Sequence, residues 1–372
     1  MHERVFNNDL LINDDSARGK TDLQKAKEQF PEIVHVLDCP ALREKFAVYE
    51  KEANKARQRV RALGFAAVLS VTVALIAVAT KPIWPHTSWT RWLALIIEVG
   101  GLFATIVAVS GLWIGDWKCR WLESRLMTER LRQWHFQLLL RRGHEIESSC
   151  KNPGAAAEFE KARAQWLNDF LNAYEGKLDS KLEQMASEPT NVETWLHNPP
   201  SHYSGNSPVL RHVFAAYERL RFDQQRDYVI YQLKKSTNKP FWEFLQLPVA
   251  LQLTALSGAS SFCFICALVC SAILVYGHAF GVPEKMETYV STGAIVIALI
   301  GAALRAVQEG LALDKEIERY NDYRGRTSQL CDRFAHTTDA KERLHLMEEL
   351  ELASVDEMKG FLRTHHNARF VL

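Results

Sequence analysis

Between Trp92 and Ile114 the sequence runs for 23 residues with one ionisable side chain, Glu98, and no other stretch limits the fold so strongly. As a helix this run is about 34 Å long, enough to cross a bilayer core of about 30 Å with some tilt. A carboxylate at such depth is expensive, and it usually faces a bundle interior or a watery path. Three further runs carry no charge at all: Ala62–Thr80, Val249–Tyr276 and Thr288–Leu304. Backbone polar groups in lipid must be satisfied within the segment, which leaves helices as the simplest solution. The expected fold class is therefore all-α and integral to a membrane, with four transmembrane helices arranged as two tandem two-span units and with helical cytosolic extensions.

Average composition hides this division. The net charge of +1 over 372 residues excludes a bulk nucleic-acid binder, but charge is dense outside the four runs and nearly absent inside them. The seven cysteines are odd in number and form no evenly spaced framework, so they read as reduced thiols. Met1–Lys20 is polar, with Asn13, Asp14 and Asp15, and lacks the apolar core of a signal peptide. Targeting is then expected from the first span.

The chain divides by pattern into residues 1–61, an N-terminal cytosolic arm and helix; 62–115, the first transmembrane pair; 116–248, a cytosolic helical domain; 249–305, the second pair; and 306–372, the C-terminal cytosolic helices. Leu42, Phe46, Tyr49 and Ala53 recur at helical spacing before the first span. Pro82 and Pro85 end that span, while Trp84, Trp89 and Trp92 suit a membrane interface. Basic residues crowd the Arg61 and Lys118 ends, which puts both termini on the cytosolic side by the positive-inside rule. The helical pattern continues past the second span through Trp117, Trp121, Leu126, Leu131 and Trp134, and past the fourth through Val307–Phe334, so each of these spans is expected to run on as one long helix. Asn152-Pro153, Ser207-Pro208 and Asp339 with Glu342 mark helix starts, for Ala155–Met185, for a helix reaching Lys235 and for Ala340–Thr364. Ser187–Ser207, with Trp195, reads as a linker or binding loop, and the apolar end Phe370-Val371-Leu372 reads as docked.

Glu98, Gly101 and Thr105 share one helical face. Two readings stand: a carboxyl hydrogen-bonded to a neighbouring helix, or a ring of carboxylates near the mouth of an oligomeric cation pore. The adjacent stripe Gly100, Ala104, Ala108 and Gly111 reads as helix packing, as does Ser291, Ala294, Ala298, Gly301 and Ala302 in the fourth span. Ser257, Ser260 and Ser261 suit interhelical hydrogen bonds or a wet vestibule, so Ser257 and Ser261 join the pore candidates. Cys263, Cys266 and Cys270 share a face but lack polar co-ligands, which favours packing over metal. Arg130, Arg132, Arg141 and Arg142 follow the second span, and Arg319, Arg324 and Arg326 the fourth. They read either as partners for anionic lipid and nearby carboxylates or as a phosphate-binding surface, with Tyr320, Tyr323 or Trp134 for base stacking. His365, His366 and Arg369 read either as an anion-binding group or, as a surface histidine pair without an orienting carboxylate, as solvated or docked. No phosphate-loop, dinucleotide, zinc-hydrolase or nucleophile-elbow pattern occurs, so neither an enzyme nor a cofactor or metal is expected.

The span pair followed by Trp117-Lys118-Cys119-Arg120-Trp121-Leu122-Glu123-Ser124-Arg125 and Glu129-Arg130-Leu131-Arg132-Gln133-Trp134 resembles the two-span SLATT-type and related four-span membrane effectors of bacterial conflict systems. The ending Phe361–Phe370 is similar to tails of the same broad group. The resemblance implies an inner-membrane antiphage effector that forms a pore or disrupts the membrane and works beside a nucleotidyltransferase. The expected function is then a homo-oligomeric channel, taken as a tetramer, gated through its cytosolic helices by a nucleotide or short oligonucleotide. The alternative is a non-conducting anchor that recruits a partner through Ala155–Lys235.

Overall fold

The computed structural model describes residues 8–12, 21–84, 88–114, 116–174, 180, 203, 207–236, 244, 247–280 and 283–368. The described residues are helical, with no strand among them. The order is α1 (Asp22–Gln29), α2 (Val34–Leu37), α3 (Pro40–Thr80), α4 (Ser88–Ile114), α5 (Trp117–Arg141), α6 (Gly143–Ser149), α7 (Pro153–Tyr174), α8 (Pro208–Tyr217), α9 (Asp223–Gln232), α10 (Val249–Phe280), α11 (Glu284–Gly310), α12 (Leu313–His336) and α13 (Ala340–Asn367). A 3-10 turn, Lys81–Ile83, follows α3, and a π-helical turn, Glu218–Phe222, joins α8 to α9.

The chain forms two compact units. Unit 1 comprises Met1–Asn54, Trp121–Gln232 and Arg319–Arg363; unit 2 comprises Lys55–Arg120, Leu233–Glu318 and Thr364–Leu372. Both are therefore built from three stretches of sequence, and α3 begins in one unit and ends in the other.

Unit 1 has an extended apolar core. Phe46, Leu131, Phe136, Leu139, Val213, Tyr217, Leu220, Phe222, Phe334, Leu346 and Leu350 are all fully buried in it. The N-terminal arm belongs to this core: Leu10, Leu11, Ile33, Val36 and Leu37 are also fully buried. The arm is held by a capping box, in which Thr21 Oγ1 accepts from the Gln24 amide and Gln24 Oε1 accepts from the Thr21 amide. That signal, Thr21-x-x-Gln24, stands in the sequence before an otherwise polar segment. Asn152 is a true N-cap, its Oδ1 accepting from the Ala155 amide at 2.8 Å with Pro153 in the first turn. Ser207 makes no side-chain cap. At α13 only half of the expected box forms, because Asp339 accepts from the Lys341 amide while Glu342 turns away to Arg333.

Unit 2 carries the apolar helices. Three are long and apolar enough to cross a membrane, within Val34–Ile83, Val249–Gly277 and Glu284–Gly310, and Trp92–Ala108 of α4 forms a shorter apolar helix among the described residues. Their outer surfaces are apolar, with Leu69, Ile96, Phe103, Phe262, Ile265, Leu268 and Val275 exposed, and Trp89 and Trp92 exposed near the first connection.

The long continuous helices expected after the second and fourth spans are not present. Helix α4 ends at Ile114, and Asp116 takes φ 45° before α5 begins at Trp117. Helix α11 ends at Gly310, and Ala312 takes φ 54° before α12 begins at Leu313. A left-handed residue swings the chain out of the helical hydrogen-bond register, so each span stops at its own end. Gly115 and Gly310 stood at these points in the sequence. By contrast α3 is unbroken over 41 residues, about 60 Å. The helix predicted over Ala155–Met185 is described to Tyr174. Most of Ser187–Ser207, including Trp195, lies outside the described residues, as do Gly115, Arg369 and the Phe370–Leu372 tail.

Candidate functional site

Within unit 2 each helix pair crosses at a glycine. In the first pair, a Cβ placed on Gly101 would lie 2.8 Å from the Ala74 Cβ and 3.0 Å from the Ser70 carbonyl oxygen of α3. One turn on, Thr105 donates to the Gly101 carbonyl at 2.8 Å, and its hydroxyl meets that of Ser70 at 2.9 Å. One turn before, Lys81 Nζ lies 2.7 and 2.8 Å from the two Glu98 carboxylate oxygens. The Glu98, Gly101 and Thr105 face is thus occupied by α3, and Lys81 at the end of that helix supplies the countercharge. Of the stripe expected to pack, Gly100 and Ala104 are exposed, with nothing within 4 Å of a Cβ on Gly100, and Ala108 is buried.

The second pair uses the same device. Gly301 of α11 sits against Cys263 Cβ, 3.1 Å from where its own Cβ would be, and Ser260 donates to the Gly301 carbonyl at 2.9 Å. Close approach of backbones through small residues, with a hydroxyl at the crossing, is how helices associate without a hydrophobic drive. Ser257 is half-buried, while Thr254, Gly258 and Ser261 lie exposed along one face of α10. Cys263, Cys266 and Cys270 are half-buried free thiols, and no metal-binding group occurs among the described residues.

The terminal histidines need correction. His365 is buried, with Nε2 3.0 Å from Glu316 Oε1, so it has the orienting carboxylate that sequence spacing could not show. His366 is exposed, but its carbonyl and that of Ala368 accept from Lys118 Nζ at 2.7 and 2.8 Å. A lysine at the carbonyl end of α13 offsets its dipole.

Unit 1 holds a buried ionic network. The π turn accommodates an extra residue, and three consecutive side chains, Leu220, Arg221 and Phe222, all point inward. The fully buried Arg221 makes two hydrogen bonds to Glu351, Nε to Oε1 at 2.9 Å and Nη2 to Oε2 at 3.0 Å, and Tyr217 donates to the same Oε1 at 2.7 Å. Arg132 pairs with Glu129 and, through Nε at 2.7 Å, with Asp9 of the N-terminal arm. Burial alone would raise the Glu129 carboxyl, but Arg125 and Arg132 hold it down at about 2. Burial pushes the Tyr217 and Tyr323 hydroxyls up, and beside it His135 is held down at about 3 by burial and by Arg163, Arg43 and Arg221.

Most of the residues expected to bind phosphate are engaged within unit 1, one of them, Arg132, in this network. Arg130 is buried and donates to Gln133, and Arg132, its side chain 13% exposed, pairs with Glu129 and Asp9. Arg319 is ion-paired with Glu357 and stacked between Tyr320 and Phe361. Tyr320 is buried with its hydroxyl against that of Tyr228, and Tyr323 is buried between Ser354 and Gln225, so neither ring is free to stack on a base. Only Arg324 and Arg326 are exposed, and Arg326 meets Asp356 at 3.1 Å. The reading of these arginines as partners for carboxylates is the one the geometry follows. Sequence reasoning missed Arg221, Glu351, Asp9 and His135, since a charged residue in a polar helix looks solvated until its neighbours are known.

Two other polar groups are structural. Arg163 donates to the carbonyls of His35, Val36 and Asp38, closing the end of α2. His35 Nε2 lies 2.8 Å from Ser149 Oγ, but Ser149 gives its proton to the Ile146 carbonyl at 2.7 Å, so the imidazole is the donor and not a base.

No family model matches the chain, and neither a curated protein nor a solved structure matches it.

Proposed function

We propose that the chain is a homo-oligomeric membrane channel, its four apolar helices crossing the bilayer as two pairs, and that it acts as an antiphage effector in a bacterial inner membrane with both termini cytoplasmic. The observation that supports oligomerisation is the open face of α10. Thr254, Gly258 and Ser261 fall along it at helical spacing and are exposed on a helix whose other surface is Phe262, Leu268 and Val269. In lipid such small and hydroxyl-bearing surface associates with another helix, and a second copy supplies one. The two glycine crossings support two equivalent pairs. The effector role is supported by the resemblance of Trp117–Trp134 and Phe361–Phe370, which also brings in a partner nucleotidyltransferase and a nucleotide or short oligonucleotide ligand; of the residues considered for that ligand, Arg324 and Arg326 remain accessible.

Purified protein in liposomes should pass ions, and Gly258→Leu with Ser261→Leu should abolish both oligomer and flux. A folded oligomer that passes no ions with or without nucleotides would remove the channel reading. The second reading, a non-conducting anchor, draws on Lys81, which neutralises Glu98 without any partner subunit. It requires that Glu98→Gln leave conductance and toxicity unchanged while substitutions in unit 1 abolish function.

A further inference from the structure

Asp9 is the least securely seated member of the buried network. Its Oδ2 lies 2.7 Å from Arg132 Nε but 3.8 Å from Arg221 Nη1, beyond hydrogen-bond reach, and Arg221 Nη1 has no hydrogen-bond partner although its side chain is fully buried. Both guanidinium groups are fixed in advance. Arg132 lies over the Phe46 ring at 5.2 Å and donates to Glu129, while Arg221 lies over Phe136 at 5.0 Å and is gripped by Glu351. Glu129 and Glu351 each balance one arginine, and Arg125 adds a third positive charge beside Glu129. Asp9 therefore brings Arg125, Arg132, Arg221, Glu129 and Glu351 to neutrality, with Arg125 partly exposed at the edge of the group, and without Asp9 the group carries a net positive charge.

The segment that delivers Asp9 is short and locally strained. Leu11 has φ 53°, a left-handed conformation that a branched side chain rarely takes. Among the described residues the Asn8 amide donates to Asp22 and the Leu10 amide to Asn8 Oδ1, and Leu10 and Leu11 are buried.

We propose that Arg132 and Arg221 form an oxyanion-binding site of which Asp9 is the internal occupant, and that a phosphate group competes with the Asn8–Ile12 segment for it. Phosphate is favoured over a second carboxylate because its tetrahedral oxygens can meet two guanidiniums that a planar carboxylate on a tethered backbone spans incompletely. Binding releases the segment from the core, which links an anionic ligand to the packing of unit 1. The proposal concerns unit 1 alone and does not depend on whether the protein conducts ions.

The test uses the full chain in detergent, with inorganic phosphate as probe and sodium chloride at equal ionic strength as control. Asp9→Ala should lower the melting temperature, and phosphate should restore at least half of the loss while chloride does not. Phosphate should bind Asp9→Ala at least about ten-fold more tightly than wild type. Adding Arg221→Met to Asp9→Ala should abolish the restoration. In wild type, saturating phosphate should speed hydrogen exchange of the Leu10 amide several-fold. If Asp9→Ala does not fold, Asp9→Asn, which keeps the shape and loses the charge, takes its place in the same titration. Equal effects of phosphate and chloride, equal restoration in the Arg221→Met variant, or unchanged Leu10 exchange in wild type with phosphate bound would each overturn the proposal.

Discussion

Arg221 shows what a single buried charge costs and does. With its guanidinium fully buried and doubly bonded to Glu351, replacement by Met strands a carboxylate in the core, and the expected loss is about 3–5 kcal/mol. Replacing both, Arg221→Met with Glu351→Met, should recover most of it, and chemical denaturation of the three proteins measures the difference. His135 gives the pH dependence. Burial, then Arg163, Arg43 and Arg221, lower it from 6.5 to about 3, so the folded chain keeps a neutral ring where the unfolded chain takes up a proton. Its contribution to stability is complete above pH 6.5 and is lost as pH falls toward 3. Glu129, lowered from 4.5 to about 2, adds a loss of the same sign between those values. Melting temperature should fall steadily below pH 6.5 in wild type, and in His135→Phe the fall between pH 6.5 and 4.5 should be shallower, the remainder coming from His35, which burial and Arg163 also hold below its ordinary value. An equal slope in both proteins between pH 6.5 and 5 would remove His135 as the source. Burial also sends the Cys331 thiol up to about 12, consistent with an inert core cysteine.

At the scale of elements, the two glycines at neighbouring positions of α4 separate packing within the chain from packing between chains. Gly101→Leu places a side chain into Ala74 and Ser70 and should cost about 1–3 kcal/mol or more, read as loss of thermal stability. Gly100→Leu meets open space and should leave stability unchanged, so any change in its oligomeric state marks the Gly100 face as an interface. The left-handed break after α11 is a second test. Ala312 carries the strain of φ 54°, and Ala312→Gly should relieve it and stabilise the protein by up to about 1 kcal/mol. Both breaks follow glycines visible in the sequence, yet the apolar periodicity ran straight through them. A helical pattern records which residues face inward and is silent about where the backbone changes register.

For the whole molecule, membrane insertion is the property with the widest support, since α3, α10 and α11 expose apolar surface along their outward faces. The protein should stay with membranes after a high-pH carbonate wash and leave them only with detergent; release by carbonate would show a peripheral attachment. Residues of unit 1 come from before, between and after the apolar helices, so the polar sequence around those helices folds together. In the arm before Pro40 only the Ile33–Leu37 stretch is conspicuously apolar in the sequence, whereas the burial of Leu10 and Leu11 depends on partners far along the chain.

The sequence by itself determined the helical class, the apolar runs and several helix starts, because periodicity, chain length against bilayer thickness and capping chemistry are local properties. It also supplied Asn152 as a cap and Gly301 as the small residue at one helix crossing, while in α4 it put the packing on Gly100 where the structure uses Gly101. Only the tertiary structure decided which face of α4 is occupied, that Lys81 neutralises Glu98, that His365 has Glu316 beside it, and that Arg132 pairs with Asp9 and Glu129 and Arg319 with Glu357. Each of those outcomes is a pairing of charges or a contact between helices, and the free energy of a charge depends on what surrounds it in space rather than on what adjoins it in the chain.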